Sequence, residues 1–164
     1  MKINRALLSF GNSKTFTDSI DFSSLTFDGS HIRKIESCEA TAIATDYDDI
    51  LRIEVKIDAK VIGVCAYTLE DVELNIKAED ELTFSDNEND EDSYFEKSNI
   101  IDLDEYILGI LLANVPVRII KKGAKLPQNG KNYRVMSEDE YEKEKEKKHD
   151  PRFDILDTVE FDKD

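Results

Sequence analysis

The sequence predicts an α+β fold built on a predominantly antiparallel β-meander. A partly closed barrel is one arrangement open to such a sheet. One buried helix is expected near 102–114, and a polar helix towards the C-terminus. Three observations predict this. Residues 51–61 alternate strictly between apolar and charged. Shorter alternating runs flank that stretch on both sides. An apolar segment at 103–112 repeats instead at helical spacing.

The 51–61 stretch anchors the rest. Leu51, Ile53, Val55, Ile57, Ala59 and Val61 are apolar, and Arg52, Glu54, Lys56, Asp58 and Lys60 fill the positions between. A period of two places all the apolar side chains on one face of a strand. With the other face wet, the sheet is expected to be antiparallel and solvated on one side, with Leu51, Ile53, Val55 and Ile57 pointing inward. A lone hairpin is marginal in water, so the strand needs partners. Cys38, Ala40, Ala42 and Ala44 alternate before it, within a strand expected at 32–44. Val72, Leu74, Ile76 and Ala78 alternate after it, and Leu82 and Phe84 rejoin the phase. Thr45-Asp46-Tyr47-Asp48-Asp49 has turn chemistry. Val61 and Ile62 are adjacent apolars, and a bulge near Gly63 would accommodate that slip.

At the N-terminus, residues 2–10 read as a short first strand ending at Gly11-Asn12. Residues 13–30 are rich in Ser, Thr and Asp, with Phe16, Ile20, Phe22, Leu25 and Phe27 interspersed. They read as an ordered loop whose aromatics dock on the sheet.

The buried helix is expected to start at Asp102, with Glu105 three residues on in capping-box spacing. Leu103, Tyr106, Ile107, Ile110 and Leu111 share one face, widened by Leu108 and Leu112. Gly109 in mid-helix costs about 1 kcal/mol relative to alanine, and a close backbone approach to the sheet would justify it. Pro116 stops the helix. Further on, Ser137-x-x-Glu140 is a second capping box that opens a Glu/Lys-rich, solvated helix over 137–148. Pro151 suits the first turn of a short terminal helix, with Phe153 and Leu156 facing the body and an acidic tail running to Asp164. The expected division is therefore one β-rich domain with its packed helix, 1–136, and a polar helix with an acidic tail, 137–164.

Charge is distributed in blocks. The formal net charge is −15. It opposes phosphate backbones and membranes, although screening limits its reach to about 8 Å at physiological salt. Between Ala78 and Glu105 there are twelve acids and one base. This stretch reads either as a solvated connection or as a docking surface for a basic partner. An EF-hand calcium loop is disfavoured, because Asp86, Glu88, Asp90 and Asp92 lack the central glycine and flanking helices. After the helix the sign inverts. Arg118, Lys121, Lys122, Lys125, Lys131 and Arg134 lie in a loop-like, acid-free run with Gly123, Pro127 and Asn129-Gly130. These bases either neutralise the acidic stretch or contact RNA or another acidic partner.

Catalytic patterns are missing. There is no nucleophile elbow, phosphate-binding glycine loop or HExxH motif. His31 and His149 sit in polar contexts without paired ligands. Cys38 falls in phase with the apolar face and reads as core. Cys65 lies at a strand end, with no basic neighbour close in sequence to lower its pKa. Two cysteines cannot build a disulfide framework. The expectation is a protein that is not an enzyme, with no cofactor and no metal. The apolar run Ala6-Leu7-Leu8 is too short for a signal peptide, and no run approaches the roughly 20 residues of a membrane span. The cytoplasm is the expected location.

Three segments together resemble the bacterial YceD family, the large ribosomal RNA subunit accumulation proteins. Gly63-Val64-Cys65-Ala66-Tyr67-Thr68-Leu69-Glu70-Asp71-Val72 is similar to the family's strand end, where a cysteine is followed three residues later by Cys or Thr and then Leu. The run from Ile101-Asp102-Leu103 to Pro116 resembles its acid-capped apolar helix. Asn132-Tyr133-Arg134-Val135-Met136-Ser137-Glu138, the Glu/Lys helix and Asp150-Pro151-Arg152-Phe153 resemble its C-terminal end. The order and spacing of these pieces carry the likeness, with Cys65, Leu69, Asp102, Asp150, Pro151, Arg152 and Phe153 at motif positions.

The resemblance implies a non-enzymatic cytoplasmic factor needed for accumulation of 23S ribosomal RNA and for large-subunit assembly. Its genes often lie beside one for a large-subunit ribosomal protein. Many relatives carry a second cysteine where Thr68 stands, and more after the helix. This chain has none there, so a metal site is not carried over. The implied partner is ribosomal RNA or a ribosomal protein. The first would be met through the basic loop. The second would be met by the acids, acting as an adaptor that shields a basic ribosomal protein. A small-molecule-binding barrel is a third, outlying reading. Oligomeric state is not legible.

Overall fold

The computed structural model describes residues 1–47 and 49–147. The chain divides into two compact units, Met1–Lys122 and Gly123–Asp164, and the boundary expected at residue 136 lies within the second.

The first unit is built on a five-stranded sheet in the order β2-β3-β4-β5-β6, formed by β2 (Ser13–Ser19), β3 (Ile32–Asp46), β4 (Ile50–Val64), β5 (Asp71–Ser85) and β6 (Tyr94–Phe95). All pairings are antiparallel except β5 with β6. A two-stranded ribbon joins β1 (Lys2–Asn4) to β7 (Ile100–Asp102), and α1 (Asp104–Asn114) follows at once. The sheet does not close into a barrel, because β2 and β6 end it at opposite edges.

The middle strand behaves as its alternation requires. Leu51, Ile53, Val55, Ile57, Ala59 and Val61 are buried, and the charged residues between them are exposed. Burying each large aliphatic side chain contributes roughly 1.5–3 kcal/mol. Its neighbours set small against large: Ala40, Ala42 and Ala44 of β3 lie opposite Ile57, Val55 and Ile53. On the wet face the charges pair across strands, as in Arg52–Glu81, Lys56–Glu79 and Lys60–Glu73.

One expectation is refined and three are corrected. First, the bulge expected near Gly63 lies in the β3–β4 pairing, opposite Gly63 and Ile62, with its extra residue on β3, while β4 stays in register with β5. The irregularities lie on β3, between Ile32 and Lys34 and between Ile35 and Ser37. The reason is spacing. Ile32, Ile35 and Cys38 are all buried but three residues apart, and one extra residue in each interval keeps all three inward. Second, part of the expected 13–30 loop is the edge strand β2. It buries almost nothing and is held by its backbone ladder and by hydroxyl contacts, Ser13–Thr45 at 2.8 Å and Thr17–Thr41 at 3.3 Å. Beyond it, Ile20 and Phe22 are buried in the core and Phe16 and Phe27 pack against it, as expected. Third, the strand expected at 2–10 stops at Asn4, whose side chain accepts the Ala6 N–H and turns Arg5–Leu7 into a 3₁₀ turn.

The fourth concerns α1. Asp102 belongs to β7, and its carboxylate accepts the Asp104 N–H at 3.2 Å instead of forming a box with Glu105. Pairing with β1 keeps 100–102 extended, and Leu103 is claimed by the core. The inward face otherwise matches: Leu103, Ile107, Ile110 and Leu111 are buried. Gly109 does not approach the sheet. It is exposed, and a Cβ there would meet nothing within 4 Å.

In the second unit, 123–137 is loop. Ser137 and Glu140 exchange N–H bonds at 3.0 and 3.2 Å, the capping box that opens α2 (Glu138–Lys147). His149, the Asp150-Pro151-Arg152-Phe153 end, the terminal helix and the acidic tail lie outside the described residues, as does Asp48. No described helix is long and apolar enough to cross a membrane.

Candidate functional site

Two surfaces carry chemistry. The first is the turn between β4 and β5, where the chain after α1 returns. Ile119 is buried, and its side chain occupies the space that a Cβ on Gly63 would take. The Ala66 N–H donates to the Ile119 carbonyl at 2.8 Å, and the Lys121 N–H donates to the Cys65 sulfur at 3.4 Å. Within the turn, the Cys65 N–H meets the Glu70 carbonyl and the Leu69 N–H meets the Cys65 carbonyl, with Leu69 held at φ +59°. That left-handed backbone is uncommon for a residue other than glycine, asparagine or aspartate.

Cys65 is fully buried, yet its thiol is brought down to about 7, first by the Lys121 N–H and then by the Thr68 hydroxyl, against the opposing effect of burial. Hydrogen bonds to the charged form favour it. Thr68 is close in sequence, but Lys121, the larger contribution, is supplied by the fold from beyond α1. Cys38, buried in the core, is instead pushed up to about 11 by desolvation.

Two of the predicted bases lie at this turn. Arg118 donates to the Tyr67 hydroxyl at 2.9 Å and sits 5.2 Å from its ring centre. Lys121 pairs with Glu70 at 2.9 Å. Lys122 is exposed beside them. Lys125, Lys131 and Arg134 belong to the second unit, where Arg134 pairs with Glu144. The six bases are thus divided three and three between units. Lys122, Lys125 and Lys131 make no ion pair among the described residues.

The second surface is the acidic side. Residues 85–98 are more than a connection: Tyr94 and Phe95 form β6, and Phe84, Tyr94 and Tyr106 cluster with ring centres 4.8–5.6 Å apart. Glu79, Glu81, Asp86 and Asp102 pair with Lys56, Arg52, Arg5 and Lys2, and Asp104 with the N-terminal amine. Asp80, Glu88, Asp90, Glu91, Asp92, Glu96 and Glu105 form no ion pair among the described residues. Asp80 was legible as an oddity, because it interrupts the apolar phase between Ala78 and Leu82.

A family model described as large ribosomal RNA subunit accumulation protein YceD matches residues 53–159, well over half of the chain. The chain belongs to the YceD family. No curated protein and no solved structure matches it. The YceD match begins inside β4 and takes in the Cys65 turn, β5, α1 and the second unit as far as residue 159. Strands β1 to β3 precede the match, yet β3 supplies Cys38, Ala40, Ala42 and Ala44 to the same core. Of the residues that carried the resemblance, Cys65 and Leu69 form the turn that receives Lys121, and Asp102 ties β7 to the start of α1.

Proposed function

We propose that this chain is a non-enzymatic, cytoplasmic factor needed for accumulation of 23S ribosomal RNA and for assembly of the large ribosomal subunit. The family match over 53–159 carries this reading. Two surfaces without a catalytic constellation are compatible with it. Depleting the protein from its host should lower 23S relative to 16S ribosomal RNA and reduce large subunits in a gradient profile. An unchanged ratio with normal large subunits would remove the reading.

One observation favours the adaptor form of this function over direct RNA contact. Seven of the twelve acids between Ala78 and Glu105 form no ion pair among the described residues, against three of the candidate bases, Lys122, Lys125 and Lys131, so the unneutralised charge is mostly negative. Acids held without counter-charges speed encounter with a basic partner and select against acidic ones. Pull-down from lysate, with and without nuclease, separates the forms. Ribosomal protein that survives nuclease supports the adaptor, and loss of everything on nuclease supports RNA.

A further inference from the structure

The outer edge of β5 is open along most of its length. β4 pairs with β5 from Asp71 to Ser85 on one side, but β6 covers only Phe84 and Ser85 on the other. Among the described residues no strand pairs with 71–83 along that side. Beside this edge runs a groove between β5 and α1, lined by Asp80, Leu82, Tyr94, Glu105, Gly109 and Ile110.

Packing within the unit accounts for neither Asp80 nor Gly109. Asp80 occupies an inward position between Ala78 and Leu82, which are 5% and 4% exposed, yet it is itself exposed and without an ion pair among the described residues. Gly109 weakens α1 without relieving any contact, since a Cβ would meet nothing within 4 Å. An inward-pointing charge protects an open edge from self-pairing, which is one use of Asp80. It leaves the glycine unexplained. A chain lying in the groove explains both.

We propose that this groove binds an extended, lysine- or arginine-bearing segment of a protein partner, added as a further strand to the open edge of β5. Main-chain bonds along a sheet edge supply affinity in such recognition, and alternate side chains supply specificity. The stem of a basic side chain would lie over Leu82 and Ile110, and its cation would reach Asp80, Glu105 and the face of Tyr94. Gly109 leaves room for that stem. Charge selects the occupant. The edge itself reads Glu79-Asp80-Glu81, so a second copy of this chain would set like charges against each other, and RNA would bring more negative charge. The inference does not depend on the ribosomal role, because its test is made on purified protein.

The test uses the full chain and a fluorescent peptide of about six residues, the usual strand length, alternating lysine and valine, with a glutamate-valine peptide as control. At low salt the lysine peptide should bind and the glutamate peptide should not. Asp80→Asn and Gly109→Gln should each weaken binding by roughly tenfold, the size of one charge-assisted contact, while Lys122→Ala leaves it unchanged. Circular dichroism of the Gly109→Gln variant checks that α1 is retained. Hydrogen exchange should slow at the β5 amides that face away from β4 when peptide is added. Equal binding to both variants, or no change in exchange along β5, would overturn the proposal. So would protection of the same amides by oligouridylate, or by protein concentration alone, which would put RNA or a second copy on that edge.

Discussion

At the scale of single residues, Cys65 shows how little of its chemistry its neighbours in sequence reveal. A thiol at a strand end with no nearby base reads as inert. The fold brings the Lys121 N–H to it from beyond α1, and the turn adds the Thr68 hydroxyl. In a Cys38→Ala background, thiolate absorbance should rise with a midpoint near 7, and a midpoint near 9 would show that the sulfur lacks these donors. The folded value lies below the ordinary 9.0, so the stability it contributes is full above about 9 and is lost as pH falls through about 7. The gap in melting temperature between the native chain and Cys65→Ala should therefore widen from pH 7 to 9. Val55 is the opposite case, because its role is visible in the sequence. It is fully buried, opposite Ala42 on one side and Asp80 on the other. Val55→Asp loses its burial and adds an unpaired carboxylate, a cost of at least about 3 kcal/mol. That is a large part of ordinary domain stability. The variant should lose cooperative thermal unfolding, and a soluble, cooperatively melting Val55→Asp would sink the strand assignment.

At the scale of elements, the long alternating strands follow their sequence, and the short or polar ones follow their neighbours. β2 has one partly buried aromatic and no usable periodicity, so only its pairing with β3 makes it a strand. The start of α1 moved for a similar reason: β7 is held extended by β1, and Asp102 caps from outside the helix. Gly109 sits exposed in the middle of α1, so Gly109→Ala should stabilise the protein by about 1 kcal/mol and raise the melting temperature by a few degrees. A fall would mean that the glycine backbone is used after all. For α2 the local rule holds by itself, since Ser137 and Glu140 make the reciprocal box that their spacing announces. Ser137→Ala should cost that helix about 1 kcal/mol, measured as faster hydrogen exchange of its amides with β4 unaffected. Equal slowing or quickening in β4 would show a wider role.

At the scale of the whole chain, net charge and the pairing of individual bases together limit what RNA binding can be. The formal charge is −15, and Lys122, Lys125 and Lys131 are the candidate bases without an ion pair among the described residues. Three counterion-releasing contacts give a slope of log affinity against log salt near −2 for a single strand. Any affinity of the full chain for unstructured RNA should therefore be weak, show that slope, and vanish when the three lysines become alanine. A slope near −4 would mean that Arg118, Lys121 and Arg134 leave their partners to join in.

What the sequence determined by itself is whatever depends on local periodicity and local hydrogen bonding. The face of Leu51, Ile53, Val55 and Ile57, the buried side of Ile107, Ile110 and Leu111, and the Ser137 box all follow from a period of two, a period near four, and an offset of three. The family likeness was legible for the same reason, as an ordered string of local motifs. Tertiary structure decided what distant pairing settles. It put the extra residues on β3, opposite Gly63–Ile62 and Val61–Lys60, drew 13–19 onto the sheet edge, and kept the sheet open. It also carried Lys121 to Cys65, and left Asp80 and Gly109 facing each other's groove beside an unpaired strand edge. The spacing within β3 and the break in phase at Asp80 are local hints of two of these, but each outcome is the meeting of segments that only the packed core brings together.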